Sequence, residues 1–115
     1  MSERSWTVRI LDLSGGAEDN IVEDIGPFDT VEDANLFARR YVRDSVERCR
    51  APGMDAKAVL DAWFAFGEDA IVPDAGELSW RSSTELSDFA GRRANRADRD
   101  WRSLDPRGRT DEDEE

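Results

Sequence analysis

Cys49 is the single cysteine of the chain and its most nucleophilic side chain. A thiol becomes reactive as its thiolate, which a nearby histidine or cation must stabilise. The chain contains no histidine, and Arg48 and Arg50 are the cations next to Cys49 in sequence. Cys49 also falls on or beside a row of apolar residues with helical spacing. The sequence therefore favours a small buried apolar side chain over a catalytic nucleophile.

Adjacent carboxylates are the second feature that could do chemistry. Glu23–Asp24 and Glu68–Asp69 are such pairs, but neighbouring acids alone define no acid–base site. Glu68, Asp69, Asp74 and Glu77 could also offer oxygen atoms to a cation. A calcium loop needs alternating oxygen ligands around a tight glycine turn, and residues 70–72 place apolar side chains where those ligands should fall. The sequence predicts no catalytic residue, no cofactor and no metal site.

Seven arginines make residues 92–109 basic, within a chain whose formal net charge is −11. Arg92, Arg96 and Arg99 would share one face of a helix, where they could contact phosphates while Trp101 stacked on a base. Acidic residues interrupt this row, and nucleic-acid-binding domains usually carry a net positive charge. The pattern argues against a nucleic-acid partner. It is more typical of a charge-paired, solvated helix or of one that docks on a protein.

Trp63, Phe64 and Phe66 bring more aromatic bulk into four positions than one face of a helix or strand can hide. Packing into a core on two sides is the simplest interpretation. An exposed ring would instead indicate a partner surface, because exposed apolar patches mark interaction sites and tryptophan is frequent among interface hot spots. The candidate partner-binding residues are Trp63, Phe66 and Trp80.

The length of 115 residues predicts one domain, which we place at residues 1–105. Residues 106–115 lack apolar side chains, so we expect a disordered acidic tip. No apolar stretch follows the polar start of the chain, and the longest apolar run, 62–66, is far shorter than the roughly 20 residues of a membrane helix. With a single cysteine and no membrane segment, the sequence predicts a soluble cytoplasmic protein.

The start of the chain is typical of a β-hairpin. Trp6, Val8 and Ile10 alternate with polar residues, which is the period of a half-buried strand. Residues 14–20 are rich in turn formers, and a second short strand runs from Ile21 to Ile25 before Gly26–Pro27 ends it. The sequence predicts a hairpin with a wide loop.

A long amphipathic helix is predicted over residues 30–50. Asp29 and Glu32 form a possible capping box at its start, and residues 51–53 stop it with proline and glycine. Its apolar side chains recur every three or four positions, at Val31, Ala34, Phe37, Ala38, Tyr41, Val42, Val46 and Cys49.

Residues 55–66 fit two structures. Asp55 can cap a helix that Gly67 ends, whereas Leu60–Phe66 could also alternate as a strand; the alanine content favours the helix. A brief edge strand is predicted at 70–72, and a further strand at Leu78 and Trp80. A second capping box, 82–85, begins a predicted C-terminal helix that reaches Leu104 and ends before Pro106.

These elements predict a small single-domain α+β protein with two layers: an N-terminal hairpin and a short extra strand packed against two or three amphipathic helices. The expected function is non-catalytic protein interaction, as an adaptor domain that binds another protein or forms a homodimer. Two alternatives stay open: an acidic inhibitor or nucleic-acid mimic that binds a basic partner, and a small enzyme or ligand-binding domain that uses carboxylates and arginines.

Overall fold

Strand β1 (Trp6–Asp12) is the centre of a three-stranded antiparallel sheet in the order β2-β1-β3. The computed structural model describes residues 5–14 and 20–107. Val8 and Ile10 of β1 are fully buried, as their alternation predicts. The remaining elements are β2 (Ile21–Phe28), α1 (Val31–Arg48), α2 (Ala56–Phe66), β3 (Glu68–Ile71) and α3 (Leu86–Gly91), with 3₁₀ turns at Pro73–Leu78, Ser82–Thr84, Ala97–Arg99 and Arg102–Leu104.

The predicted α+β class and the N-terminal hairpin are confirmed. Strand β2 runs on through Gly26 and Pro27 to Phe28, three residues beyond the predicted end. Proline fits there because β2 lies at the edge of the sheet, where a missing N–H breaks no essential ladder bond. Residues 15–19 of the predicted wide loop lie outside the described residues.

Helix α1 forms where its apolar spacing predicts, but its cap differs. The hydroxyl of Thr30 accepts a hydrogen bond of 3.0 Å from the backbone N–H of Asp33, so Thr30 is the N-cap and the predicted Asp29 capping box is wrong. The helix ends at Arg48, and its apolar face is buried against the sheet and the other helices.

The helical alternative for residues 55–66 is correct. Asp55 caps α2 by accepting a 2.9 Å hydrogen bond from the N–H of Ala58. Strand β3 starts two residues earlier than predicted and pairs with β1 at the opposite edge from β2. The further strand predicted at Leu78 and Trp80 is wrong, because a 3₁₀ turn occupies Pro73–Leu78.

The predicted C-terminal helix ends much earlier than Leu104. After Gly91 the backbone of Arg92 is extended, and residues 92–105 form turns and short 3₁₀ segments. Two arginines donate to the last carbonyls of α3. Arg43, in α1, donates to Phe89 O at 2.7 Å, and Arg50, just after the end of α1, donates to Ala90 O at 3.1 Å. These hydrogen bonds stand in for those that a further turn of α3 would make to the same carbonyls. The residues after Gly91 have few apolar side chains to bury, so little favours continuing the helix.

The predicted capping box at 82–85 does not form. Ser82–Thr84 is a separate 3₁₀ turn, and Glu85 makes no capping bond to the start of α3. Its carboxylate instead binds Arg39 of α1 at 2.7 and 2.8 Å and accepts from the indole N–H of Trp80. Charge-assisted bonds to Arg39 are stronger than a local cap, so the long-range contact prevails.

Ordered contacts continue past residue 105. Arg107 binds the carboxylate of Asp105 at 2.8 Å and that of Glu23 on β2 at 3.2 Å. Arg107 is the last described residue, so the predicted boundary between residues 105 and 106 falls within the described range. Residues 108–115, which hold the acidic part of that tip, lie outside the described residues.

We expect Gly67→Ala to destabilise the fold by about 2 kcal/mol through overpacking. Gly67 has an extended backbone, but a Cβ atom there would lie 2.3 Å from Cδ1 of Trp63 and 2.8 Å from its carbonyl oxygen. Urea unfolding measures the loss. Gly91→Ala is the matched control, since a Cβ at Gly91 meets nothing within 4 Å. Equal stability of both variants would contradict this packing.

We expect Ser45→Ala to cost about 2 kcal/mol, because it removes the acceptor of two hydrogen bonds, one of them fully buried. The Ser45 hydroxyl accepts from the indole N–H of Trp63 at 3.1 Å and from the backbone N–H of Glu68 at 3.0 Å. Urea unfolding followed by tryptophan fluorescence measures the effect. Ser83→Ala, at an exposed serine, should change stability little. An unchanged midpoint for Ser45→Ala would show that these bonds contribute nothing.

Candidate functional site: an aromatic cleft at the end of α2

Helix α2 buries one aromatic ring and exposes two. Trp63 is 1% exposed and donates its indole N–H to Ser45 of α1, whereas Phe64 is 56% exposed and Phe66 is 76% exposed. Successive helical residues are rotated by about 100°, so the face that carries Trp63 into the core turns Phe64 towards solvent. Phe66 is the last residue of the helix.

A cleft of about 660 Å³ lies beside Phe66. The end of α1, helix α2 and the adjoining ends of β1 and β3 line it. Cys49, Met54, Ala62 and Phe66 form its apolar part. The cleft therefore joins an exposed aromatic ring to a concave apolar surface, which is the usual build of a binding site.

Two carboxylates line the same cleft. Asp12 and Glu68 are direct partners across the β1–β3 ladder, so their side chains project from the same face of the sheet. Ser14 donates to Asp12 Oδ1 from its hydroxyl at 2.7 Å and from its backbone N–H at 2.9 Å. These bonds stabilise the charged form and hold the pKa of Asp12 below its ordinary value.

Glu68 is held by the phenol of Tyr41, which donates to Glu68 Oε1 at 2.5 Å. Burial and this bond to an anion both raise the pKa of Tyr41 well above its ordinary value. Tyr41 therefore stays a neutral donor and fixes the position of the Glu68 carboxylate.

Arg48 is the cation that lines the cleft. Its guanidinium lies 3.5 Å from Asp44, one turn back along α1. Asp44 also accepts from Arg99 at 2.7 Å and from the indole N–H of Trp101 at 3.1 Å. The charge of Arg48 is thus directed towards Asp44.

Cys49 has no activating environment in the cleft. Partial burial raises the pKa of its thiol above the ordinary value, and Arg48 opposes this only in part. Within residues 5–14 and 20–107, no three acidic, cysteine or histidine side chains converge to hold a metal ion.

The three predicted partner-binding residues do not form one surface. Trp63 is in the core and is not available to a partner. Trp80 lies near the start of α1, where its backbone N–H donates to Asn35 at 2.7 Å and its ring packs on Phe89. Asn35 on α1 and Cys49, the residue that follows the end of α1, are fourteen positions apart, a helical rise of about 21 Å. Of the three, only Phe66 lines the cleft.

The predicted row of arginines is also absent, because residues 92–99 are not a continuous helix. Arg92 pairs with Asp88 at 2.6 Å, Arg99 pairs with Asp44 at 2.7 Å, and the guanidinium of Arg102 stacks 4.3 Å from the Trp101 ring. These arginines therefore bind groups of the protein itself.

Comparison with protein-family models, curated proteins and solved structures finds no match to this chain. Across the described residues, no helix combines the length and the apolar content that crossing a bilayer requires.

We expect Cys49 to alkylate with a pH midpoint above that of the same thiol in the urea-unfolded chain, which should titrate near about 8.5. A raised pKa leaves less thiolate at any given pH, so folding should slow the reaction. Iodoacetamide labelling as a function of pH, read by mass spectrometry, measures both midpoints. Cys49→Ser gives the background. A folded midpoint below the unfolded one would reveal an activated nucleophile.

Proposed function

We propose that this protein is a non-catalytic interaction domain that binds a partner protein through the end of α2 and the neighbouring cleft. The observation that carries the proposal is the 76% exposure of Phe66 beside a cleft whose lining combines apolar and charged side chains. Phe64, on the same helix, is a second exposed ring, 56% exposed. An exposed aromatic ring next to a concave surface is typical of protein–protein interfaces.

The expected gain on binding is substantial. Burying an exposed phenylalanine contributes about 2 kcal/mol. That amount corresponds to an affinity about thirtyfold higher. Phe66 would thus act as the anchor of the interface, and the polar rim of the cleft would set its orientation.

A different protein is a better partner than a second copy of this chain. Each copy carries a formal net charge of −11, which opposes self-association. Glu23 and Asp24 lie on β2, at the outer edge of the sheet, where they also discourage pairing with another acidic edge. The single cysteine fits a reducing compartment, and we place the interaction in the cytoplasm.

The absence of an activated nucleophile supports binding rather than catalysis. Cys49 has a raised pKa, and Asp12 and Glu68 are both engaged by hydrogen bonds from Ser14 and Tyr41.

We expect Phe66→Ser to abolish capture of the partner without unfolding the domain, because the ring contributes little to the core. Immobilised wild-type protein and the variant are incubated with lysate of the source cell and washed at about 0.15 M and about 1 M salt; apolar contacts should survive the second wash. Leu78→Ser is the matched control, since Leu78 is 67% exposed and does not line the cleft.

A protein retained by wild type and Leu78→Ser, yet lost with Phe66→Ser, supports the proposal. Retention by all three would place the interface elsewhere. A basic protein that all three release at high salt would instead favour an acidic inhibitor or nucleic-acid mimic. Circular dichroism and urea unfolding of each variant confirm that the comparison is between folded proteins.

A further inference from the structure

We propose that the cleft binds an arginine side chain of the partner, with the guanidinium bridging Asp12 and Glu68 and the ring of Phe66 stacked on it. This inference rests on the proposed function and specifies the chemistry of the partner. It would make the interface selective for a segment that combines one arginine with apolar neighbours.

The two carboxylates are positioned for a bridging ligand. Asp12 and Glu68 are paired residues of antiparallel strands, whose Cα atoms are separated by about 4.5–5.5 Å. Each carboxylate is fixed through one oxygen, Asp12 Oδ1 by Ser14 and Glu68 Oε1 by Tyr41. Within the described residues, neither Asp12 Oδ2 nor Glu68 Oε2 receives a hydrogen bond, so both can accept one from a ligand.

The charge balance of the cleft favours a cationic ligand. Asp12 and Glu68 have no ion pair within the described residues, whereas the cleft's own cation, Arg48, lies against Asp44. The cleft therefore carries two carboxylates and one arginine, and that arginine also pairs with a third carboxylate, Asp44. A partner cation would balance the remaining negative charge and donate to the free oxygen of each carboxylate.

Arginine matches this geometry better than lysine. Its planar guanidinium offers five donors, which can reach two carboxylates at once, and its flat face stacks on an aromatic ring. Phe66 provides such a ring at the mouth of the cleft. Met54 and Ala62 provide apolar surface for the aliphatic stem of the side chain.

The test uses two pentapeptides, acetyl-Ala-Leu-Arg-Leu-Ala-amide and the same peptide with citrulline in place of arginine. Citrulline keeps the shape and removes the charge. In ¹H–¹⁵N NMR titrations of the full chain, the arginine peptide should shift the amide signals of Ser14, Cys49, Gly67 and Glu68. We expect Asp12→Asn/Glu68→Gln to raise its dissociation constant about tenfold, the loss of about 1.4 kcal/mol.

Asparagine and glutamine still accept from Ser14 and Tyr41, so the variant should keep its fold. Asp74→Asn/Glu77→Gln is the control: it removes the same charge from exposed residues that do not line the cleft. Equal binding of both peptides, no shift with the arginine peptide, or equal losses in the two double variants would overturn the inference.

The capture experiment separates this inference from the proposal on which it rests. A partner lost with Phe66→Ser but retained by Asp12→Asn/Glu68→Gln would preserve the interaction domain and reject the arginine site. A partner retained by Phe66→Ser would reject the interaction domain as proposed.

Discussion

The hydroxyl of Ser45 is the contact on which the arrangement of this domain depends. It accepts from Trp63 of α2 and from the backbone of Glu68 at the start of β3, so one buried atom joins three elements. Gly67 allows this junction, because any side chain there would collide with the Trp63 ring. The junction fixes which face of α2 is buried and where β3 begins, and it thereby shapes the cleft.

A second set of contacts explains why the chain after α3 wraps around α1 instead of extending. Arg43 and Arg50 bind the terminal carbonyls of α3, and Glu47 pairs with both arginines. Burial lowers the pKa of Arg43, yet its hydrogen bonds and Glu47 compensate for the lost hydration. Further along, Arg99 returns to Asp44 of the same helix.

The predictions that were confirmed depend on residues close in sequence. Alternation in β1, the cap at Asp55 and the apolar spacing of α1 are local signals, and each produces the expected element. The failures involve distant partners: Glu85 leaves its predicted cap for Arg39, 46 positions away. The cleft was missed for the same reason, because Asp12 and Glu68 become neighbours only through the β1–β3 register.

The packing of α2 determines which of its side chains the fold requires and which positions tolerate any residue. With Trp63 bound to Ser45 and Val59 buried on the same helix, α2 cannot rotate to hide Phe66. Position 66 is thus exposed whatever residue occupies it, and a polar side chain there would cost the fold little. A phenylalanine gains its apolar free energy at that position only when another surface covers it. Folding does not require a phenylalanine at position 66, and its presence there is the strongest argument for a partner at the cleft.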